Sequence, residues 1–342
     1  MNKQRFVSVL KVVATILIVV FSIYFSIREV DFEQLGKSFQ TANYWLALLA
    51  VPIAFLSHYI RAMRWKVILR HIHPEITTAK LFSGVMVGYF MNNIIPRSGE
   101  IAKPYVSSQG EAKGAFSSLL GSVIVERFVD VIALLLLAAG VLFFDEHVFD
   151  GFEDIGLSRN VIQLWLYPAI VIGVVFLLIA PSKLGSKIAA VLTKPLPDKI
   201  GSKILEIFTK LQKGFGCLKT WDQIALVAFE TIVIYACYML PLYIMFFAFP
   251  DAGEVDATIL DAVKMLVITA AAMAVAPTPG GFGVHHYAAK VASMKMLAFP
   301  QAAAVAYGTI THFVQYVVVM LIGGYFLMKG NLSVSELKKA ND

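Results

Sequence analysis

Six long apolar runs constrain the fold of this chain more than any other feature of its sequence. They cover about residues 6–27, 44–69, 114–144, 161–181, 221–249 and 303–328. A helix that crosses the hydrocarbon core of a bilayer needs about 20 mainly apolar residues, and each run reaches that length. Only 15% of the 342 residues are charged, which is too little polar surface to keep these runs in a soluble fold. The sequence therefore predicts an all-α integral membrane protein with six full spans.

Two further apolar stretches, at residues 81–113 and 262–299, are interrupted by clusters of proline and glycine. The interrupting residues are Pro96, Gly99, Pro277, Pro279 and Gly283. Each apolar arm is too short to cross the bilayer alone. Paired interrupted segments in corresponding halves of a chain are typical of transporter binding sites. We therefore predict two re-entrant helical hairpins.

The distribution of Lys and Arg predicts how the spans are oriented. Basic residues precede the first span, follow the second, fill the connection at 182–220 and follow the last span, whereas the connections at 145–160 and 250–261 are acidic. Because basic residues concentrate on the cytosolic side, both termini are expected in the cytosol. The net charge of +6 is thus explained by topology, and we expect no nucleic-acid partner. The expected location is the cytoplasmic membrane.

With this orientation, the hairpin at 81–113 enters from the cytosolic side and the hairpin at 262–299 from the outer side. The chain then forms an inverted-topology repeat whose two hairpin tips approach the membrane midplane. We expect residues 1–181 to hold the first repeat, with spans one to four and the first hairpin. Residues 221–328 would hold the rest of the second repeat. A cytosolic amphipathic linker (182–220) and a cytosolic tail (329–342) complete the chain.

The first break carries polar residues that suit a lipid head group. Asn93, Arg97 and Glu100 cluster around it, and the planar guanidinium of Arg97 matches phosphate oxygens. The alternative is an internal pair of Arg97 with Glu100 that only shapes the tip.

Span three also carries charges, since Glu126, Arg127 and Asp130 fall on one helical face. Charged residues inside a span usually face the protein interior or a wet cavity, so these residues either bind substrate or clamp the first hairpin. Arg61 and Arg64 end span two, where they contact lipid head groups at the interface or anchor the topology. Glu230 in span five is another buried carboxylate, and the sequence names no partner for it.

The second break combines close backbone approach with histidines. Gly280 and Gly281 bring backbone N–H groups within reach of an anionic head group. His286 follows the break, and His312 lies in the last span at about the distance at which Glu126 follows the first break. Each histidine is either a proton-sensitive group or a hydrogen-bonding partner of a neighbouring helix.

No enzyme motif is found in the sequence. It contains no phosphate-binding loop, no His-Glu-x-x-His and no Gly-x-Ser-x-Gly elbow. The two cysteines, Cys217 and Cys237, do not have zinc-type spacing. We expect no enzymatic activity, no cofactor and no metal, so transport would be passive or driven by an ion gradient, the membrane potential or a partner.

Four motifs together resemble one family. They are Arg61-x-x-Arg64-Trp65, Asn93-x-x-Pro96-Arg97 with Gly99-Glu100, Glu126-Arg127-x-x-Asp130, and Pro277-x-Pro279-Gly280-Gly281-x-Gly283-Val284. In their order and spacing these motifs are similar to those of the transmembrane region of lysylphosphatidylglycerol synthases, a flippase-like (UPF0104) membrane family. The resemblance implies a polytopic helical bundle that handles lipids between leaflets. His286 departs from it, because the family usually has Glu there.

On this basis we expect a stand-alone member without the aminoacyltransferase domain, acting as a lipid translocase. Its substrate would be a phospholipid or a polyprenyl-phosphate-linked lipid. The alternatives are an ion-coupled transporter of a small solute and a non-transporting partner of a lipid-modifying enzyme. The Gly323–Gly324 pair in the last span is compatible with a homodimer.

Overall fold

The structure is a computed structural model that describes residues 3–111, 115–145, 159–179, 183–194, 197, 201–202, 205 and 220–330. Every regular element in these ranges is helical, which confirms the predicted all-α class. The α-helices are α1 (Lys3–Ile27), α2 (Phe32–Thr41), α3 (Tyr44–Leu69), α4 (Thr78–Ile94), α5 (Gly99–Ser108), α6 (Ala115–Phe144), α7 (Arg159–Ile179), α8 (Lys183–Thr193), α9 (Trp221–Phe246), α10 (Ile259–Val275), α11 (Val284–Leu297) and α12 (Gln301–Lys329). Short 3₁₀ turns lie at Pro250–Ala252 and Pro279–Gly281.

Each of the six predicted spans coincides with a helix: α1, α3, α6, α7, α9 and α12. Within the described residues, α3, α6, α9 and α12 are long and apolar enough to cross a membrane, and α1 contributes an apolar segment at Thr15–Ile27. The chain is therefore a multi-pass helical membrane protein. The count of six spans stays a prediction.

The two interrupted stretches fold as helix–break–helix segments. In the first, Lys80 of α4 donates to the Gln109 carbonyl and pairs with Glu111, just beyond the end of α5. The arms touch at Gly84, where an added Cβ atom would lie 2.8 Å from the Lys103 carbonyl oxygen. In the second, α10 and α11 also lie in contact. Both segments are thus helical hairpins, and their re-entrance into a bilayer stays a prediction.

The contacts divide the described chain into two compact units. Unit 1 comprises residues 3–57, 89–99 and 235–330, and unit 2 comprises the described residues of 58–88 and 100–234. Each unit therefore draws on both predicted repeats.

The core of unit 1 is centred on Tyr307 of α12. Its ring is fully buried, stacks on Phe246 with centroids 5.2 Å apart, and its hydroxyl donates to the Leu242 carbonyl oxygen at 3.1 Å. Helix α2, which was not predicted, packs against α12 and the Pro250–Ala252 turn. The α2 side chain Ser38 hydrogen-bonds to Asp251.

The predicted amphipathic linker is described only in part. Helix α8 exposes Leu184, Ile188 and Val191, whose i, i+4, i+7 spacing forms one apolar stripe. The rest of the linker, most of its lysines, the acidic residues after Asp145 in the 145–160 connection and the tail beyond Gly330 lie outside the described residues. The predicted orientation of the spans therefore stays a prediction.

Candidate functional site

The first break lies in unit 1, between α4 and α5. The Ser98 hydroxyl donates to the carbonyl oxygens of Met91 (2.9 Å) and Ile95 (2.8 Å), and the Asn92 side chain accepts the Gly99 backbone N–H at 2.7 Å. These bonds satisfy backbone N–H and carbonyl groups that have no intrahelical partner where the helix is interrupted. They leave Arg97 exposed, with a φ of +64°. A left-handed conformation is unfavourable for a residue with a Cβ atom, so the surrounding bonds hold Arg97 in place.

The second break requires glycine at two positions. Gly283 has a φ of +78°, and a Cβ atom there would lie 2.9 Å from the Val19 carbonyl oxygen of α1. Gly280 has a φ of +60°. L-residues with a side chain rarely adopt either conformation. The Thr278 hydroxyl donates to the Phe282 carbonyl oxygen at 2.9 Å and closes the turn.

The two breaks meet within unit 1. A Cβ atom added at Gly280 would lie 3.1 Å from Asn93 Oδ1 and 3.2 Å from a ring carbon of Tyr316. The missing side chain of Gly280 thus provides the space that the Asn93 amide occupies. Asn93 and Gly280, two residues predicted from separate motifs, are brought together at one place.

Three histidines surround the second break. His312 Nε2 lies 2.6 Å from the Gly280 carbonyl oxygen; because a carbonyl only accepts, this ring nitrogen carries the proton. The ring centroid of His312 lies 4.7 Å from that of His286 and 5.3 Å from that of His285. Nδ1 of His286 is buried without a hydrogen-bond partner in the described part of the chain. Within that part, no cluster of His, Cys, Asp or Glu has a metal-binding arrangement.

A buried ionic cluster occupies unit 2. Arg61 Nη1 lies 2.7 Å from both Glu126 Oε1 and Asp130 Oδ2. Arg64 Nη2 lies 2.6 Å from Asp130 Oδ1 and 3.5 Å from Glu126 Oε1. Lys103 of α5 pairs with the other Glu126 oxygen. We call these five residues the buried cluster.

The buried cluster is screened from solvent and positively charged. Its side chains are at most 12% exposed. Three cations and two carboxylates give it a net charge of +1. Taking an ion out of water costs several kcal/mol, so each group needs its partners. Trp65 adds support, because its Nε1 donates to Ser122 at 2.8 Å and its ring lies 4.1 Å from Lys103 Nζ. A cation over an indole face is favourable.

Arg127 and Glu100 lie at the more exposed edge of the buried cluster. Arg127 Nε is 3.5 Å from Glu100 Oε1, and its Nη1 is 3.6 Å from Asp130 Oδ2. Their side chains are 33% and 44% exposed, so these pairs contribute little to stability.

Arg61 and Arg64 were predicted to contact lipid head groups or to anchor the topology, and both roles stay predictions. In the structure their side chains are 4% and 0% exposed and bind the carboxylates of α6. Two partners in this region were not predicted from the sequence: Lys103, and the hydroxyl of Thr231, which accepts from Arg64 Nη1 at 2.9 Å. The available signal was that Lys103 is a charged residue in an otherwise apolar arm. The Gly323–Gly324 pair packs within the chain, since Gly323 is buried and Gly324 faces Phe90.

Fold and site together define a helical multi-pass membrane protein with two broken hairpins and buried charge. The chain belongs to the lysylphosphatidylglycerol synthase TM region family, whose sequence model matches residues 9–323. This confirms the family resemblance stated above.

Two similar proteins come from archaea. UPF0104 membrane protein MJ1595 of Methanocaldococcus jannaschii is 23% identical over 310 residues, which are 86% of this chain and 87% of that protein. UPF0104 membrane protein PH1989 of Pyrococcus horikoshii is 29% identical over 107 residues, which are 30% of this chain and 32% of that protein. In the second match the chain thus spans about a third of the relative's length. No solved structure matches the chain significantly.

Proposed function

We propose that this protein is a lipid translocase that moves a phospholipid or a lipid-linked anionic head group between the leaflets of the cytoplasmic membrane. The observation that carries the proposal is the meeting of the two helix breaks in unit 1, with Asn93 against Gly280. Irregular backbone at membrane depth is tolerated where it is buried in protein or lines a cavity. Broken helices from inverted repeats supply the substrate sites of many transporters.

The charges near the breaks favour an anionic head group. Arg97 is exposed at the first break in a conformation fixed by its neighbours, so its guanidinium is available to a phosphate from outside the fold. His286 and His312 supply ring nitrogens beside the second break.

In this proposal, the polar head group passes through the site at the breaks while the lipid chains stay in the bilayer. Alternating access comes from movement of one repeat against the other. The residues that contact the head group are Asn93, Arg97, Gly280, Gly281, His286 and His312. The predicted residues Glu100, Glu126, Arg127 and Asp130 belong to unit 2 and are not assigned to this contact.

The test is translocation of a fluorescent phosphatidylglycerol and a fluorescent polyprenyl phosphate in liposomes that contain the purified protein. Head-group exposure is read by chemical quenching from outside. Arg97→Ala is expected to slow translocation by about tenfold or more, because a hydrogen bond to a charged group contributes about 1.5–3 kcal/mol. Arg97→Lys keeps the charge and should retain part of the rate.

Arg70→Ala is the matched control, since Arg70 is an exposed arginine paired with Asp222. It should translocate like the wild type. If Arg97→Ala folds normally and also translocates at the wild-type rate, the proposed site is wrong. If the wild type moves neither lipid but takes up a soluble anion, the solute-transporter alternative replaces the lipid proposal. If the inactive protein instead co-purifies with a membrane enzyme, the role of a non-transporting partner replaces it.

A further inference from the structure

Glu230 lies on the buried face of α9, within unit 2. The buried residues of this part of the helix are Gln223, Val227, Glu230, Thr231 and Ile234, whose spacing of three and four residues forms one stripe. Burying an ionisable carboxyl group inside a membrane span is energetically costly, and such groups are usually functional.

The neighbours of Glu230 hold this stripe against α3. The Gln223 side-chain amide donates to the Val67 carbonyl oxygen at 2.7 Å, and Val227 packs against Ile68. Thr231, next to Glu230, accepts from Arg64 Nη1 at 2.9 Å. Arg64 is therefore bonded to the residue that directly follows Glu230 on the same helix.

A buried carboxyl oxygen and a buried guanidinium nitrogen lack hydrogen-bond partners in this region of the described chain. Glu230 is 5% exposed, and its Oε2 has no hydrogen-bond partner in the described part of the chain; the same holds for Nε of Arg64, which is fully buried. Most buried polar atoms in folded proteins are hydrogen-bonded, and leaving one unsatisfied costs about 1–3 kcal/mol. A proton on Glu230 removes its charge, whereas an ionised Glu230 complements Arg64.

The protonation of Glu230 sets the charge of its surroundings. The buried cluster alone carries a net charge of +1. Arg127 and its partner Glu100 at the edge of the cluster cancel each other. With Glu230 ionised, the remaining three cations and three carboxylates sum to zero, and with Glu230 protonated the charge returns to +1. The titratable or charged groups near the buried cluster are His58, Arg61 and Arg64 of α3, Glu100 and Lys103 of α5, and Glu126, Arg127 and Asp130 of α6.

We propose that Glu230 is a proton-binding site that sets the charge around the buried cluster in unit 2. When its carboxylate takes up a proton from water, the net charge of the buried cluster and Glu230 together rises from zero to +1. When the proton returns to water, that charge falls back to zero.

Infrared spectroscopy of the purified protein tests the proton site without any transport. Over about pH 5 to pH 9, the wild type should lose a protonated-carboxyl band, and Glu230→Gln should lack that band. Asp222→Asn is the matched control, because it replaces an exposed carboxylate of the same helix, and it should keep the band. If Glu230→Gln shows the same titrating band, or if no such band titrates in the wild type, the proton site is wrong.

Discussion

Replacing Glu126 by glutamine removes the carboxylate that joins the cations of the buried cluster. Glu126 Oε1 lies 2.7 Å from Arg61 Nη1 and its other oxygen pairs with Lys103. Since the side chain is 1% exposed, water does not take the place of the lost charge. The variant leaves three cations with one carboxylate, so the net charge of the buried cluster rises from +1 to +2. Removing one partner of a buried ion pair costs about 3–5 kcal/mol. We therefore expect Glu126→Gln to lower the free energy of unfolding by that amount.

The assay is equilibrium unfolding by dodecyl sulfate in mixed micelles. Asp222→Asn removes a carboxylate that is 66% exposed and should cost about 0–1 kcal/mol. The double variant Glu126→Gln with Lys103→Met returns the net charge to +1. It should therefore be more stable than the sum of the single effects predicts, by about 1 kcal/mol or more. A cost below about 1 kcal/mol for Glu126→Gln, or strictly additive effects, would refute this account of the buried cluster.

Two further predictions concern packing. Gly84→Ala should destabilise the first hairpin by about 1–3 kcal/mol, because the new Cβ would meet Ser107 and the Lys103 carbonyl. Gly140→Ala is the control and should be tolerated, since no atom lies within 4 Å of its added Cβ. Equal thermal stability of the two variants would contradict the hairpin contact. Tyr307→Phe should cost about 0.5–1.5 kcal/mol in the same unfolding assay, since it removes a buried hydrogen bond. Tyr325→Phe, at an exposed position, should have no effect, and a neutral Tyr307→Phe would show that the bond does not contribute.

The helices and their breaks could be predicted from sequence because their causes are local. An apolar run of sufficient length can be recognised without tertiary information. Clusters of proline and glycine interrupt such a run, whereas the single prolines Pro52 and Pro241 lie inside helices. The breaks at Pro96 and Pro277 were therefore placed correctly. Helix α2 was missed because it is short and its mean hydropathy is low. A signal was present in Asp31, whose side chain accepts the N–H groups of Glu33 and Gln34.

The partners within the buried cluster could not be predicted, since they depend on tertiary packing. Arg61 and Glu126 are 65 residues apart in the chain, and the end of span two looks from sequence like a membrane interface. Arg127 shares the face of the carboxylates on α6 and lies 3.6 Å from Asp130 Oδ2. The shorter contacts come from Arg61, Arg64 and Lys103, which lie on other helices. Neither motif alone predicts that Asn93 lies against Gly280. Only the predicted inverted repeat, in which the two hairpin tips approach each other, led us to expect the two breaks to be close.

The most direct test of the central claim is photo-crosslinking of a lipid head group to the two breaks. A phosphatidylglycerol with a photoreactive head group would be incorporated into liposomes with the wild-type protein, irradiated, and the modified peptides identified by mass spectrometry. The account predicts modification of residues 89–99 and of residues 277–286, with both reduced in Arg97→Ala. Modification confined to exposed apolar positions such as Phe313 and Leu321 would contradict it.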